Sequence, residues 1–336
     1  MIGILSVVIF ITLIFLIVKF RHEIMIFIRG NGSVRVILFI PLWFIASQLF
    51  ASIGATPAMI KGLEESIVRN WSAEYGTVNQ EAFANYMQAW QDSIDFASVD
   101  MIMIGLGTVL GAFLAIWFMM AIVNREPLTN IGLSIENRGK EMLVGLVGAL
   151  VFIGGIFFVL WLVGAITITG IFEFKSEVFI VSIVLFLFAF HEEIVFRGYV
   201  LKNMMDDTDN RWISLAGSSL FFALIHSNNP NVLSTWVPMT ELFAAGFILG
   251  ISYTFTKNLW FPTFFHFGWN FFQGLFGFKI SGIDIDSWKA FSHENSCQVP
   301  DIISGGSFGI EGSVISLTLT ILGTYGIYKY YTDGQQ

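Results

Sequence analysis

The stretch HEEIVFRGYV, residues 191–200, holds two adjacent carboxylates, Glu192 and Glu193, and an arginine, Arg197, directly after the uncharged run VFIVSIVLFLFAF. An ionised side chain in such surroundings costs several kcal/mol unless it is paired or wetted, so three of them call for a reason. Two further patterns set polar groups into apolar helices: FFALIHSNNP, with Phe222 four residues before His226, and HFGWN, with His266 four before Asn270. The i, i+4 spacing brings each pair to one helix face. A carboxylate in an apolar pocket suits a general base that takes a proton from water. One neutral histidine shares that proton or orients the water, while a second histidine and an amide donate hydrogen bonds to a developing oxyanion. Together these roles describe hydrolysis of a carbonyl compound. No serine or cysteine joins these residues in a nucleophile motif, and Cys297, the single cysteine, lies outside them and excludes an intrachain disulfide.

The elements that must position these groups are membrane helices. Of 336 residues 55% are hydrophobic and 12% charged, where soluble domains carry about 25% charged residues, and the mean hydropathy is +0.73. A net charge of −8 with dispersed basic residues argues against a nucleic-acid partner. Apolar stretches near spanning length fall at 2–18, 35–53, 101–123, 142–168, 178–205, 212–227, 239–256, 260–278 and 312–331. They predict an all-α polytopic bundle of about eight or nine membrane helices. The first stretch lacks a basic start and a small-residue cleavage site, so it reads as a retained anchor.

Lysine and arginine cluster in the loops at 19–35, 124–141 and 202–211 and at Lys257, which the positive-inside rule puts in the cytoplasm. The acidic stretches 54–100 and 279–311 then lie outside, the former as an amphipathic segment on the membrane surface. The chain divides into N-terminal helices with that external segment (1–140), a core (141–278), and an external loop with a C-terminal helix (279–336). At 1.5 Å per residue, Glu192, His226, His266 and Asn270 stand roughly 14–22 Å from the cytoplasmic edge, in one mid-depth layer.

Taken singly, each group has an ordinary structural role: Glu193 and Arg197 as a helical ion pair, His226 as a packing residue, Asn270 as an interhelical hydrogen-bond donor. Their joint occurrence at one depth points to a single site. His22 and His293 read as surface residues. Glu192, His226 and His266 also form a two-histidine, one-glutamate donor set of the kind zinc hydrolases use. Because position 195 is valine, HEEIVFR is not the H-E-x-x-H helix of zincins. Zinc-dependent and metal-free routes both stay open.

The three patterns, E-E-x-x-x-R at Glu192, Glu193 and Arg197, F-x-x-x-H at Phe222 and His226, and H-x-x-x-N at His266 and Asn270, resemble the signature of the CAAX prenyl endopeptidase and bacteriocin-processing family, the Abi or CPBP intramembrane proteases. The resemblance covers about 140–275 and does not explain the first 120 residues or the 279–311 loop. It implies a helical bundle with a cavity open to the cytoplasm and endoproteolysis inside the bilayer. By similarity Glu192 activates water with His226, His266 and Asn270 stabilise the oxyanion, and Glu193 with Arg197 orders the site. His191 stands outside the motif and reads as a cap on the polar patch. The substrate implied is a lipidated CAAX-like protein or a bacteriocin- or signal-peptide-like segment, and the compact loops suggest a prokaryotic inner membrane. The competing readings are a transporter using the buried Glu, Arg and His as an ion path, and a non-proteolytic immunity or scaffold protein.

Overall fold

In lipid every backbone N–H and C=O must find its partner within the segment, so long apolar runs form helices. The computed structural model describes residues 22–71, 96–171, 176–208, 210–285, 289–296 and 298–333, with side chains for 26–55 in the first of these. The expected span at 2–18, most of the expected surface segment at 54–100, the His22 side chain and Cys297 lie outside the described residues.

A short helix α1 (His22–Arg29) leads into α2 (Gly32–Trp71), and α3 (Val99–Phe118) continues as a π-helix over Met119–Asn124. Helix α4 (Gly139–Leu162) precedes a strand β1 (Ile166–Ile171). Helix α5 (Glu177–Glu193) passes through a π-helix (Ile194–Leu201) into α6 (Lys202–Asp207) as one continuous rod. Then follow α7 (Arg211–Ile225), α8 (Val237–Thr256), α9 (Trp260–Leu275), strand β2 (Phe291–Asn295), α10 (Asp301–Ser304) and α11 (Val314–Asp333). Among the described residues five helical runs are long and apolar enough to cross a membrane: Gly32–Ala55, Val99–Asn124, Gly139–Leu162, Glu177–Asp207 and Val237–Thr256; α7 is a shorter apolar helix. The chain is a multi-pass integral membrane protein.

The bundle carries one two-stranded sheet among the described residues. The stretch expected to span 142–168 stops at Leu162 because Gly164 turns the chain at φ +70°, and the β-branched run ITITGI pairs antiparallel with β2, Ile166 opposite Asn295 and Ile171 opposite Phe291. The ribbon ties the loop after α4 to the loop before α10.

The basic loops meet at the other end. Lys202 Nζ lies 2.8 Å from Glu126 Oε2, Arg35 Nη2 3.6 Å from Asp206 Oδ2, and Asn258 Nδ2 donates to the Ser134 carbonyl at 2.8 Å. These contacts unite the segments 19–35, 124–141, 202–211 and 257, as the alternation of loops requires.

Helix α4 packs along α9, α7 along α8, and α2 along α3. Across the last pair Gly107 and Gly111, four apart, let the backbones touch: a Cβ on Gly111 would lie 2.5 Å from the Ala46 carbonyl oxygen. Small residues at such spacing are how membrane helices approach closely. Gly111→Leu should therefore lower stability by at least the about 1–3 kcal/mol of ordinary overpacking. Gly155→Leu on α4, where nothing lies within 4 Å of the added Cβ, should be tolerated, and thermal unfolding in detergent compares the two.

Candidate active site

Glu192 and Glu193 stand at the end of α5, where the helix widens into the π-helix that carries Arg197. All eight π-helical residues are buried, and π-bulges are frequent at functional sites. Arg197 Nη1 donates to Glu193 Oε1 at 2.9 Å, Nη2 donates to the Gly246 carbonyl of α8 at 3.2 Å, and the guanidinium sits 4.7 Å from the centre of the Phe222 ring. The pair is wholly enclosed, with Glu193 0% and Arg197 1% exposed.

Glu193 has a second partner. His266 Nδ1 lies 2.8 Å from the same oxygen, Oε1. A carboxylate oxygen accepts, so Nδ1 carries the proton, and Nε2 of that ring points on towards Glu192. His226 forms the C-cap of α7, its Nδ1 2.8 Å from the Phe222 carbonyl. By the same reasoning this Nδ1 is the donor and Nε2 is turned to the other side.

Both Nε2 atoms lie 3.9 Å from Glu192 Oε2, and the Glu192 side chain is 21% exposed. That separation is too long for a direct hydrogen bond and leaves room for one water molecule that donates to Oε2 and to one of the two imidazoles. Glu192, His226, His266 and Asn270 line one cavity of about 250 Å³ whose other walls are mainly apolar, among them Leu185, Phe222, Leu249 and Trp269. Glu193 and Arg197 lie behind this wall and reach the cavity through His266 and Phe222.

The loop-borne part of the wall, including Asn229, Ser281 and Glu311, comes from the end of the bundle opposite the basic loops. His191 faces away: its Nε2 accepts from Trp43 Nε1 at 2.9 Å and lies 3.5 Å from Ser47 Oγ, so it ties α5 to α2. His293, expected at the surface, is half-buried in β2 with its ring 4.3 Å from that of Phe278, because the ribbon folds over the bundle.

Two buried carboxylates escaped the motif reading. Glu241 Oε1 accepts from Ser316 Oγ at 2.8 Å and Thr320 Oγ1 at 2.7 Å, which clamps α8 to α11. Glu311 Oε2 accepts from the Ser281 backbone N–H at 2.6 Å and from Gln273 Nε2 at 3.0 Å. Burial pushes the Glu311 carboxyl up from the usual carboxylate range, against the pull of Gln273, Ser281, His226 and His266. The available signal was isolation: Glu311 is the only charged residue between Asp301 and Lys329, and Glu241 the only one between Arg211 and Lys257.

As a zinc set, Glu192, His226 and His266 have the right chemistry. Yet among the described residues no group of three or more His, Cys, Asp or Glu side chains is arranged to hold a metal ion. Roles are therefore derived below from the side chains and water.

Residues 157–272 match the family model of the Rce1-like type II CAAX prenyl endopeptidases. The match covers the segment that carries the three motifs and makes that segment similar to the CAAX proteases. No curated protein and no solved structure matches the chain at a significant level. The CAAX-protease segment runs from the second half of α4 to α9 and contains all three motifs, whereas Glu311 lies beyond it. The activity that follows is that of a protease acting on peptide substrates within the bilayer.

Proposed function

We propose that the chain is an intramembrane endopeptidase that hydrolyses a peptide bond of a membrane-associated substrate by a water molecule activated on Glu192. The observation that carries this reading is the placement of Glu192 Oε2, 3.9 Å from Nε2 of both His226 and His266. A water held there donates one proton towards Oε2 and keeps a lone pair for the substrate. Glu192 takes that proton as the water oxygen bonds to the scissile carbonyl carbon. Asn270 stabilises the resulting oxyanion through its side-chain N–H, while His266, its ring fixed by Glu193 at Nδ1, accepts the water's second hydrogen at Nε2 and orients the nucleophile. On collapse the C–N bond breaks and Glu192 returns the proton to the leaving amine.

Apolar walls support a substrate that presents an apolar segment, CAAX-like or signal-peptide-like, to the cavity. They disfavour the ion path of a transporter, which requires continuous polar lining. By the positive-inside rule the basic loops face the cytoplasm, as in a prokaryotic inner membrane. The loop-borne wall of the cavity then lies on the outer side, so a substrate arriving from the cytoplasm passes between helices to reach Glu192.

The test is incubation of the purified protein in lipid nanodiscs with a library of membrane peptides, with product masses read out. Internal cleavage is expected, and turnover is expected to persist after chelator treatment because the mechanism routes no step through a metal. Uncleaved peptides throughout would overturn the protease reading, and turnover lost on chelation and regained with zinc would overturn the metal-free step.

A further inference from the structure

Glu311 belongs to neither the family-matched segment nor any step of the hydrolysis, yet it lines the same cavity and is 5% exposed. A glycine-flanked turn, Ile310–Gly312, carries it in from the start of α11, and Ser281 and Gln273 hold its Oε2. Those two donors are neutral. Among the described residues no lysine or arginine pairs with Glu311, and none lines the cavity. The chamber's titratable lining is two carboxyls and two imidazoles with no fixed cation, and ionising a buried carboxyl without one is costly. A cationic group brought by a ligand would offset that cost with a charge-assisted hydrogen bond.

We infer that Glu311 is a specificity-determining residue that receives a lysine or arginine side chain of the substrate, near the scissile bond and on the outer side of the cavity. The substrate class is then an apolar membrane segment flanked by a basic residue: the apolar part meets Leu185, Leu249 and Trp269, and the cation meets Glu311. Since Glu311 lies outside the family-matched segment, this preference belongs to the chain's own C-terminal loop and not to the shared core. The inference rests on the hydrolytic reading for its kinetic consequence only, because recognition is measurable without turnover.

The experiment uses the full chain in nanodiscs and two 24-residue alanine–leucine peptides that differ at one flanking position, lysine against glutamine. In the Glu192→Gln background binding is followed by fluorescence anisotropy. The lysine peptide is expected to bind about ten times more tightly than the glutamine peptide, in line with a charge-assisted hydrogen bond, and the added Glu311→Gln substitution is expected to bring the ratio to about one. Glutamine keeps an oxygen for Ser281 and Gln273, so the turn is retained, and unchanged affinity for the glutamine peptide verifies this. With Glu192 intact, the same ratio should appear in kcat/KM. A ratio near one with Glu311 present, or a ratio that survives Glu311→Gln, overturns the inference, as does absence of binding by either peptide. Binding that discriminates without cleavage would instead overturn only the protease reading.

Discussion

Glu192→Gln is expected to reduce peptide turnover by about 10²–10⁴-fold, the usual contribution of a positioned base, while leaving the fold intact. Both halves follow from the surroundings of one atom. Glu192 Oε2 is buried without a hydrogen-bond partner, and each imidazole Nε2 stands 3.9 Å away. Nothing in the protein depends on that oxygen for its own hydrogen bonding, so replacing it by an amide nitrogen breaks no contact. Stability should stay within about 0.5 kcal/mol of the parent, the range of substitutions that remove no packing or pairing. What is lost is the ability to accept a proton from water, which an amide does not have. Turnover of a cleaved library peptide and thermal unfolding in detergent are the two measurements, and wild-type turnover in the variant would remove Glu192 from the chemistry.

Much of this arrangement was legible in the chain because its carriers are local. Glu193 and Arg197 four apart, Phe222 and His226 four apart, and His266 with Asn270 one turn further all sit on helices whose apolar runs announce them. Depth counted from the basic loops brought the three helices into register, since a helix rises uniformly. Local spacing gave no access to partners remote in sequence. The bond from His266 to Glu193 joins residues 73 apart, and Trp43 reaches His191 across 148. The π-helix was hidden as well, since IVFRGYVL is as compatible with an α-helix as with the wider turn. In the sequence Glu311 is one acid of an acidic loop, and nothing local says that the loop folds inward. ITITGI is apolar enough for lipid and reads as the end of a span, and its β-branched residues decide for a strand only once β2 lies beside it.

Glu193→Gln should act in the opposite way to Glu192→Gln, on stability first. Oε1 of Glu193 accepts from Arg197 Nη1 at 2.9 Å and from His266 Nδ1 at 2.8 Å, in a spot where the two members of the ion pair are 0% and 1% exposed. Glutamine keeps one acceptor oxygen but loses the negative charge, which strands the Arg197 guanidinium inside the bundle. Removing one member of a buried pair typically costs about 3–5 kcal/mol, and His266 loses the carboxylate that fixes its ring, so turnover falls too. Two causes of the instability then need separating, lost packing and stranded charge. Adding Arg197→Met to Glu193→Gln removes the stranded charge while leaving the amide in place. The double variant should therefore unfold at a higher temperature than Glu193→Gln alone, a coupling of the kind that neighbouring residues show. Its turnover should stay low, because His266 is still without its carboxylate. If the double variant instead loses the sum of the two single losses, Glu193 does not act by pairing Arg197. If turnover returns with stability, His266 does not need Glu193 to hold it for catalysis.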